Sequence, residues 1–469
     1  MRIAPLSIGT IHLIGIGGIG MSGIAEILHS LGHKVQGSDI TDNANVQRLK
    51  AKGISVFVGH SECHIDGVSV VVPSSDIKAD NIEIIAARKK DIPVIPRSEM
   101  LAELMRFKPA VAIAGTHGKT TTTSLVATLL SAGRLDPTII NGGIINSLNT
   151  NAQIGKGDWM VVEADESDGT FIKIPATIVI VTNIEPEHLD YYGGSFEEVK
   201  KSFLQFVKQI PFYGFSVLCL DHPEVRNLLP HITDRRFITY GFDAEAHCRA
   251  SNVRYKKEAL TFDVMFDDGT EQHAFKDIIL PMRGDHNVLN SLAAISVALK
   301  MKVPERVIRE GLQSFAGVKR RFTPVGTYKG ATVIDDYAHH PTEVRVVINA
   351  AKKITDKRVV AVLQPHRFSR LKNLFDDFAA CLSEADHVII LPVYGAGEKS
   401  IIGLDNFALA KAASAHTKSP VEAVENEEEL AQKIALLCEE GGYILCMGAG
   451  SITKIAQDLE HRLKAIAPE

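Results

Sequence analysis

The sequence predicts an α/β protein of three domains with mostly parallel sheets. Three observations lead there. Short apolar runs alternate with helix-period stretches over most of the 469 residues, the pattern of repeated strand–helix units. Two glycine-rich turns, "GIGGIG" from Gly15 and "GTHGKT" from Gly115, each follow such a run and open a helix. Two basic links, "MRFKPAVAIAG" and "SFAGVKRRFTPVG", separate three blocks of this pattern.

The run Ile11–Ile14 is the first strand. The helix behind it carries Ile24, Ile27, Leu28 and Leu31 on one stripe, and Gly32 is placed to end it. Further strands are expected at "VSVVVPSS" and "IPVIP". The middle block offers "VAIA", "WMVVEA", "TIVIVTN" and "SVLCL". Between "RRFITYGF" and "HAFKDIILP" the alternation shortens around the turn "DDGT", which reads as a small antiparallel insert. The last block supplies "ATVIDDY", "VVAVLQP", "HVIILPV" and "GGYILCMG". The domains are therefore 1–107, 108–321 and 322–469.

Composition narrows the function. With 45% hydrophobic and 23% charged residues the chain has the profile of a soluble globular protein. A net charge of −5 provides no basic field for nucleic acid or an acidic membrane surface. No apolar stretch is long enough to span a bilayer, and the start "MRIAPLSIGTIHLIGIGG" lacks the pattern of a cleaved leader. The six cysteines are scattered without a Cys-x-x-Cys pair, which suits a reducing compartment. A cytoplasmic location is expected.

The first glycine turn has the layout of a dinucleotide site, with Asp39 about twenty residues on and able to hold a ribose. By itself it is equally compatible with another diphosphate or with close helix–strand packing. The second turn is more specific. Gly118-Lys119-Thr120 joins a strand to a helix, so Lys119 can reach the β- and γ-phosphates of a nucleotide and the Thr120 hydroxyl a bound Mg2+. Strict Walker spacing asks for glycine at Ile113; Gly115 does that job in a tighter loop. Glu163 in "VVEADESDGT" and His188 in "VTNIEPEHLDYY" stand after apolar strands. Three strand ends of an open α/β sheet should converge on one crevice.

These segments, with "HNVLN", "RRF", "DDYAHHPTE" and "QPHRFSR" in the same order, resemble the Mur ligase family along essentially the whole chain. The resemblance implies an N-terminal Rossmann-like UDP-sugar domain, a central P-loop-type ATPase domain and a C-terminal Rossmann-like domain. It implies an ATP-dependent ligase that joins L-alanine to the carboxylate of UDP-N-acetylmuramate through an acyl phosphate. The start "GIGGIGMSG" favours alanine addition over the family's peptide-recycling reaction, and "GTHGKTTTT" leaves a nicotinamide-dependent dehydrogenase without support.

By the same resemblance, Gly15, Gly17, Gly18, Gly20 and Ser22 lie along the diphosphate, with Asp39, Ser74, Ser75 and Arg97 toward the nucleoside and sugar. ATP is met by Gly115, Thr116, His117, Gly118, Lys119, Thr120, Thr121, Asn287, Asn290, Arg321 and Asp336. Thr120, Glu163 and His188 hold Mg2+ or Mn2+, and Lys119, Glu163 and His188 carry the catalysis. Tyr337, His339, His366, Arg367 and Arg370 take the amino acid, the two arginines sharing a face if a helix starts there. The position at which several relatives bear a modified lysine is Phe203 here, as in the alanine-adding branch.

Overall fold

In the computed structural model the described residues are 9–106, 108–148, 150–256 and 259–466. The expectations for the start of the chain and for the first domain boundary fall on residues 1–8 and 107, which lie outside them. A small parallel sheet comes first, built from β1 (Thr10–Ile14), β2 (Val35–Asp39), β3 (Ser55–Val58) and β4 (Val68–Pro73) in the order β3-β2-β1-β4. β1 is buried from Ile11 onward, as a central parallel strand covered on both faces must be. The helix Ile19–Ser30 buries Ile24, Ile27 and Leu28 against this sheet's core. Leu31 departs from the expected stripe: it is the C-cap and is 56% exposed, because Gly32, at φ +90°, already turns the chain away. "IPVIP" forms no strand either. Its prolines lack the N–H a ladder needs, and only one bridge, Val71 to Val94, remains.

The second sheet has ten strands: β5 (Ala110–Ala114), β6 (Thr138–Ile145), β7 (Thr150–Gln153), β8 (Met160–Glu163), β9 (Ile178–Val181), β10 (Phe215–Cys219), β11 (Arg236–Gly241), β12 (Cys248–Tyr255), β13 (Leu260–Asp267) and β14 (Gln272–Leu280). Their order is β14-β13-β12-β11-β10-β9-β5-β8-β6-β7. β5 is wholly buried and runs parallel to both neighbours, so Ile113 lies level with Glu163 on β8 and Ile180 on β9. The carboxyl ends of these three strands therefore fall on one edge. β13 and β14 are neighbours joined by four residues, too few for a parallel crossover, so the expected hairpin at "DDGT" is present. The antiparallel pair β6–β7 was not foreseen.

The third sheet comprises β15 (Thr323–Tyr328), β16 (Ala331–Asp336), β17 (Val359–Leu363), β18 (His387–Ile390), β19 (Val421–Ala423) and β20 (Tyr443–Met447), ordered β15-β16-β20-β17-β18-β19. All pairs but β15–β16 are parallel. Apolar layers cover both faces of this sheet. Three sheets thus stand where three domains are expected, yet the first two share one compact unit that runs to Gly317. The other unit takes the chain from Val318 onward, with Val253–Thr261 and Ile279–Val288. No described helix is long and apolar enough to cross a membrane.

Candidate active site

The first glycine turn is shaped by its own acid. Gly15, at φ +75°, and Ile16 donate to the Ser38 carbonyl at 2.8 and 3.0 Å, which folds the chain back over β2. Asp39 is buried; its Oδ2 accepts the Gly17 N–H at 2.9 Å and its Oδ1 the Thr41 N–H at 3.0 Å. A Cβ on Gly17 would lie 2.7–2.9 Å from Val46, Asn43 and Asp39, so only glycine fits. Asp39 thus serves the turn itself, a use the motif spacing did not anticipate. Ser22, expected along the diphosphate, is fully buried one turn into the helix, its hydroxyl donating to the Ile19 carbonyl at 3.0 Å and its N–H to the Gly18 carbonyl at 2.8 Å.

What the turn does present is the start of the helix Ile19–Ser30, which has no side-chain cap. The N–H groups of such a first turn have no partner within the helix and attract anions. Arg97 lies across this end: its Nη1 is 2.7 Å from where a Cβ on Gly20 would be, and its Nη2 donates to Asp165 at 2.9 Å. Ser74 follows β4 beside Gly15 and donates its N–H to Ile14 at 2.9 Å, while Ser75 is exposed.

The second loop is wired more tightly. Gly115 has φ +138° and Gly118 φ +80°; the helix Lys119–Ala132 starts there, again without a side-chain cap. The segment after β9 clamps it. Asn183 accepts the N–H of Thr116 on its carbonyl at 3.2 Å and that of His117 on its Oδ1 at 2.7 Å. The Thr182 hydroxyl and Asn183 Nδ2 donate to the His117 carbonyl at 2.6 and 3.0 Å. The Glu185 N–H donates to the Thr116 hydroxyl at 2.8 Å, and the Glu185 carboxylate lies 3.4 Å from His117 Nε2. Thr120 and Thr121 occupy the first helical turn and are nearly buried. Asn290 sits against Gly118 and accepts the Thr122 hydroxyl at 3.1 Å.

Lys119 uses all three of its ammonium hydrogens inside the protein. They go to the carbonyls of Gly115 and Thr116, at 2.5 and 3.1 Å, and to Glu166 at 2.8 Å. Burial disfavours its charge, but the carboxylates of Glu166, Asp165 and Glu163 outweigh that and hold it protonated well above its ordinary range. Glu163 ends β8 and accepts the Gly142 N–H at 2.7 Å on Oε2. His188 is exposed in a left-handed turn at φ +55°, its Nε2 3.7 Å from Glu187. Phe203, where the resemblance puts the modified lysine of several relatives, is fully buried, its ring 5.0 Å from that of Phe171.

The unit that holds the third sheet has a cluster of its own at the carboxyl ends of its strands. Asp336 is buried and accepts the N–H groups of Phe322 and Ala338 at 2.7 and 2.8 Å; burial pushes its carboxyl up to about 6. Its oxygens thus organise the loop after β16, where the motif expected a nucleotide contact. Arg321 lies 3.9 Å from Glu343 and over the Tyr337 ring at 5.7 Å. Asn287 donates to the Arg283 carbonyl at 2.7 Å. The rings of Tyr337, His339, His366 and Tyr394 follow one another at 4.9, 6.1 and 5.6 Å. Burial, with the positive charge of His339, Arg370 and Arg367 around it, pushes His366 down to about 4. Arg367 is the N-cap of the helix Phe368–Asn373, at φ +68°, whereas Arg370 lies within it, 3.4 Å from His366 Nδ1. The two arginines therefore do not share a helical face.

Residues 10–109 match the family model described as the Mur ligase catalytic domain, residues 113–298 the Mur ligase middle domain, and residues 320–450 the Mur ligase glutamate ligase domain. The chain belongs to the Mur ligase family. Among its relatives in that family, the UDP-N-acetylmuramate–L-alanine ligase of Agrobacterium fabrum is 55% identical over 99% of this chain and 98% of its own length. The enzyme of the same name from Brucella anthropi is 56% identical over 98% of both. The crystal structure of the UDP-N-acetylmuramate–alanine ligase of Thermotoga maritima superposes with a TM-score of 0.82 at 29% identity, covering 97% of this chain and 99% of that one. Glu166, Thr182, Asn183 and Glu185 of this Mur ligase were not singled out from sequence. Their signal, polar residues directly after an apolar strand, is shared by too many loops to select them.

Proposed function

We propose that this protein is an ATP-dependent ligase that joins the amine of L-alanine to the carboxylate of UDP-N-acetylmuramate, an early step of peptidoglycan precursor synthesis in the cytoplasm. The observation that supports this most is the loop at the end of β5. A lysine ammonium is held between two loop carbonyls and a buried carboxylate, at the start of an uncapped helix and one strand away from Glu163. Such a loop suits the γ-phosphate of ATP. Near-identical length and about 55% identity to enzymes named for this reaction support these substrates.

A carboxylate resists attack by an amine because its charge repels the nucleophile and oxide is a poor leaving group. Transfer of the γ-phosphoryl to a carboxylate oxygen solves both. The acyl phosphate has a neutral carbonyl carbon; the amine adds there, and phosphate departs with the oxygen that attacked phosphorus. Lys119 would leave part of its present shell to neutralise the moving phosphoryl, and the N–H groups at the start of Lys119–Ala132 would hold the phosphates. The uncapped helix at Gly18 and the guanidinium of Arg97 would bind the diphosphate and sugar side of the acceptor.

The donors at the strand ends fit Mg2+ or Mn2+. Glu163 spends one oxygen on Gly142 and keeps the other, Thr120 offers a hydroxyl, and His188 an imidazole on an exposed turn, a predominantly hard-oxygen set. Bound there, the metal supplies charge neutralisation of the phosphates. In the other unit, Arg367 and Arg370 would grip the alanine carboxylate, and the ring series from Tyr337 to Tyr394 would limit the side chain accepted. The test is phosphate release from ATP with UDP-N-acetylmuramate, screened across single amino acids. Release dependent on L-alanine is expected; release without acceptor, or with a tripeptide alone, would overturn the assignment.

A further inference from the structure

Glu166 lies three residues beyond Glu163, in the same "VVEADESDGT" segment, and is tightly held in the crevice of the central sheet. It is 3% exposed. One carboxylate oxygen accepts the Lys119 ammonium at 2.8 Å; the other, Oε2, is buried with no hydrogen-bond partner. Its backbone is pinned as well. The Glu166 carbonyl accepts the Gly169 N–H at 3.0 Å and the hydroxyl of buried Tyr192 at 2.7 Å, and the turn is closed by Ser167 donating to Asp165 at 3.1 Å. A buried acceptor without a donor is costly, so this carboxylate keeps its charge only through the lysine.

Every other charge facing it is known. Asp165, the adjacent acid, repels it and is itself held by Arg97. Glu163 and Asp165 act on the shared lysine. Tyr192 is held neutral, its phenol pushed up by burial and by Glu166, Asp168 and Asp165. Lys119 is the single cation in contact with the Glu166 carboxylate among the described residues.

That arrangement has a consequence for nucleotide binding. In this state the three hydrogens of Lys119 are all taken, so a phosphate must draw the ammonium away from part of its shell. The two carbonyls belong to the loop itself and are neutral. Glu166 is the one charged partner, and separating it from Lys119 leaves a buried carboxylate beside Asp165 with no counter-ion. We propose that Glu166 is a positioning residue for Lys119: it holds the ammonium at the loop while the site waits, and it takes up a proton when a nucleotide phosphate claims that ammonium. The carboxyl is predisposed to do so, since burial and Asp165 push it up to about 7 even against the pull of Lys119. The step is a simple protonation, solvent H+ adding to the carboxylate with no bond to phosphorus made or broken.

The inference rests on the reading that Lys119 serves ATP. The experiment is calorimetry of the non-hydrolysable ATP analogue AMP-PNP with Mg2+, in buffers of different ionisation enthalpy, on the full chain. At pH 8 the wild type should take up close to one proton more per nucleotide than Glu166→Gln, which keeps an acceptor for Lys119 but cannot change charge. At pH 6, where Glu166 is largely protonated beforehand, the wild-type excess should shrink toward zero. Glu166→Gln should bind the analogue at least as tightly, having lost a negative charge beside the phosphates. Equal proton uptake in the two proteins at pH 8 would overturn the role of Glu166 while leaving the ATP site intact. No nucleotide binding by the wild type would instead overturn the ATP site. Should the variant not fold, a wild-type uptake that fails to fall between pH 8 and pH 6 is refutation enough.

Discussion

Replacing Gly115 with alanine should disable the nucleotide loop by a route that can be worked through atom by atom. Gly115 has φ +138°, a backbone region that side chains rarely adopt, and forcing a residue with a Cβ to stay there costs about 1–3 kcal/mol. The new Cβ would also stand 2.0 Å from the Thr182 hydroxyl oxygen and 3.1 Å from the backbone N and O of Asn183. Thr182 can swing aside only by giving up its 2.6 Å bond to the His117 carbonyl, worth roughly 0.5–1.5 kcal/mol. The Asn183 backbone cannot move without loosening its bonds to Thr116 and His117. Together the penalty is about 2–4 kcal/mol, or about 30- to 700-fold in affinity if it falls on binding. AMP-PNP calorimetry and thermal unfolding on the same variant would divide that cost between affinity and stability. Adding Thr182→Ala should recover part of it, because the hydroxyl clash goes while the strained φ and Asn183 remain. If Gly115→Ala binds the analogue within threefold of wild type and unfolds at the same temperature, the loop geometry described here is not the one that meets the nucleotide.

Arg97→Ala should raise the KM for UDP-N-acetylmuramate by ~10–100-fold, the loss of a charge-assisted hydrogen bond, and move the KM for ATP far less; steady-state kinetics with each substrate varied would show it. Arg367→Ala and Arg370→Ala should each raise the alanine KM by a similar ~10–100-fold factor, with lysine rescuing only in part because a point charge lacks the guanidinium fork. An unchanged alanine KM in both would place the carboxylate elsewhere. In the first sheet, burial works against the charge of Glu83, but hydrogen bonds from His12, Ser38 and His64 win and hold its carboxyl at about 2, down from 4.5. A depressed folded value means stability that is present above pH 4.5 and lost as pH falls toward 2. The loss is on the order of 3 kcal/mol. Acid unfolding of Glu83→Gln should lack that segment of the pH dependence; a curve parallel to wild type would contradict it.

The sheets were legible because buried parallel strands are continuous apolar runs, and "VAIA", "IVIV" and "YILCM" can hardly be anything else between helical stretches. The Gly115–Thr120 loop was legible for a similar reason, since glycine, lysine and threonine at a strand-to-helix junction form a local pattern. The β6–β7 pair was hidden by the Gly142-Gly143 interruption in β6 and the polar "TNAQ" of β7. Leu31 was misplaced because periodicity cannot say where a helix ends when the capping glycine lies one residue on. The shared face of Arg367 and Arg370 was misplaced for a related reason: a motif gives residue order, while the helix start and a left-handed φ decide which way a side chain faces. Glu166 and Asn183 meet the loop only through neighbouring strands, a proximity across 47 and 66 residues that no local pattern encodes.

Transfer of the γ-phosphoryl of ATP to a sugar carboxylate is the central step of the proposed reaction, and oxygen labelling tests it directly. UDP-N-acetylmuramate carrying 18O in both carboxylate positions would be turned over with ATP, Mg2+ and L-alanine, and the released phosphate and the amide product analysed by mass spectrometry. One labelled oxygen should appear in phosphate and one should remain in the amide carbonyl for every product formed. Phosphate free of label, with product still accumulating, would show that the carboxylate is not activated by phosphorylation and would contradict the mechanism.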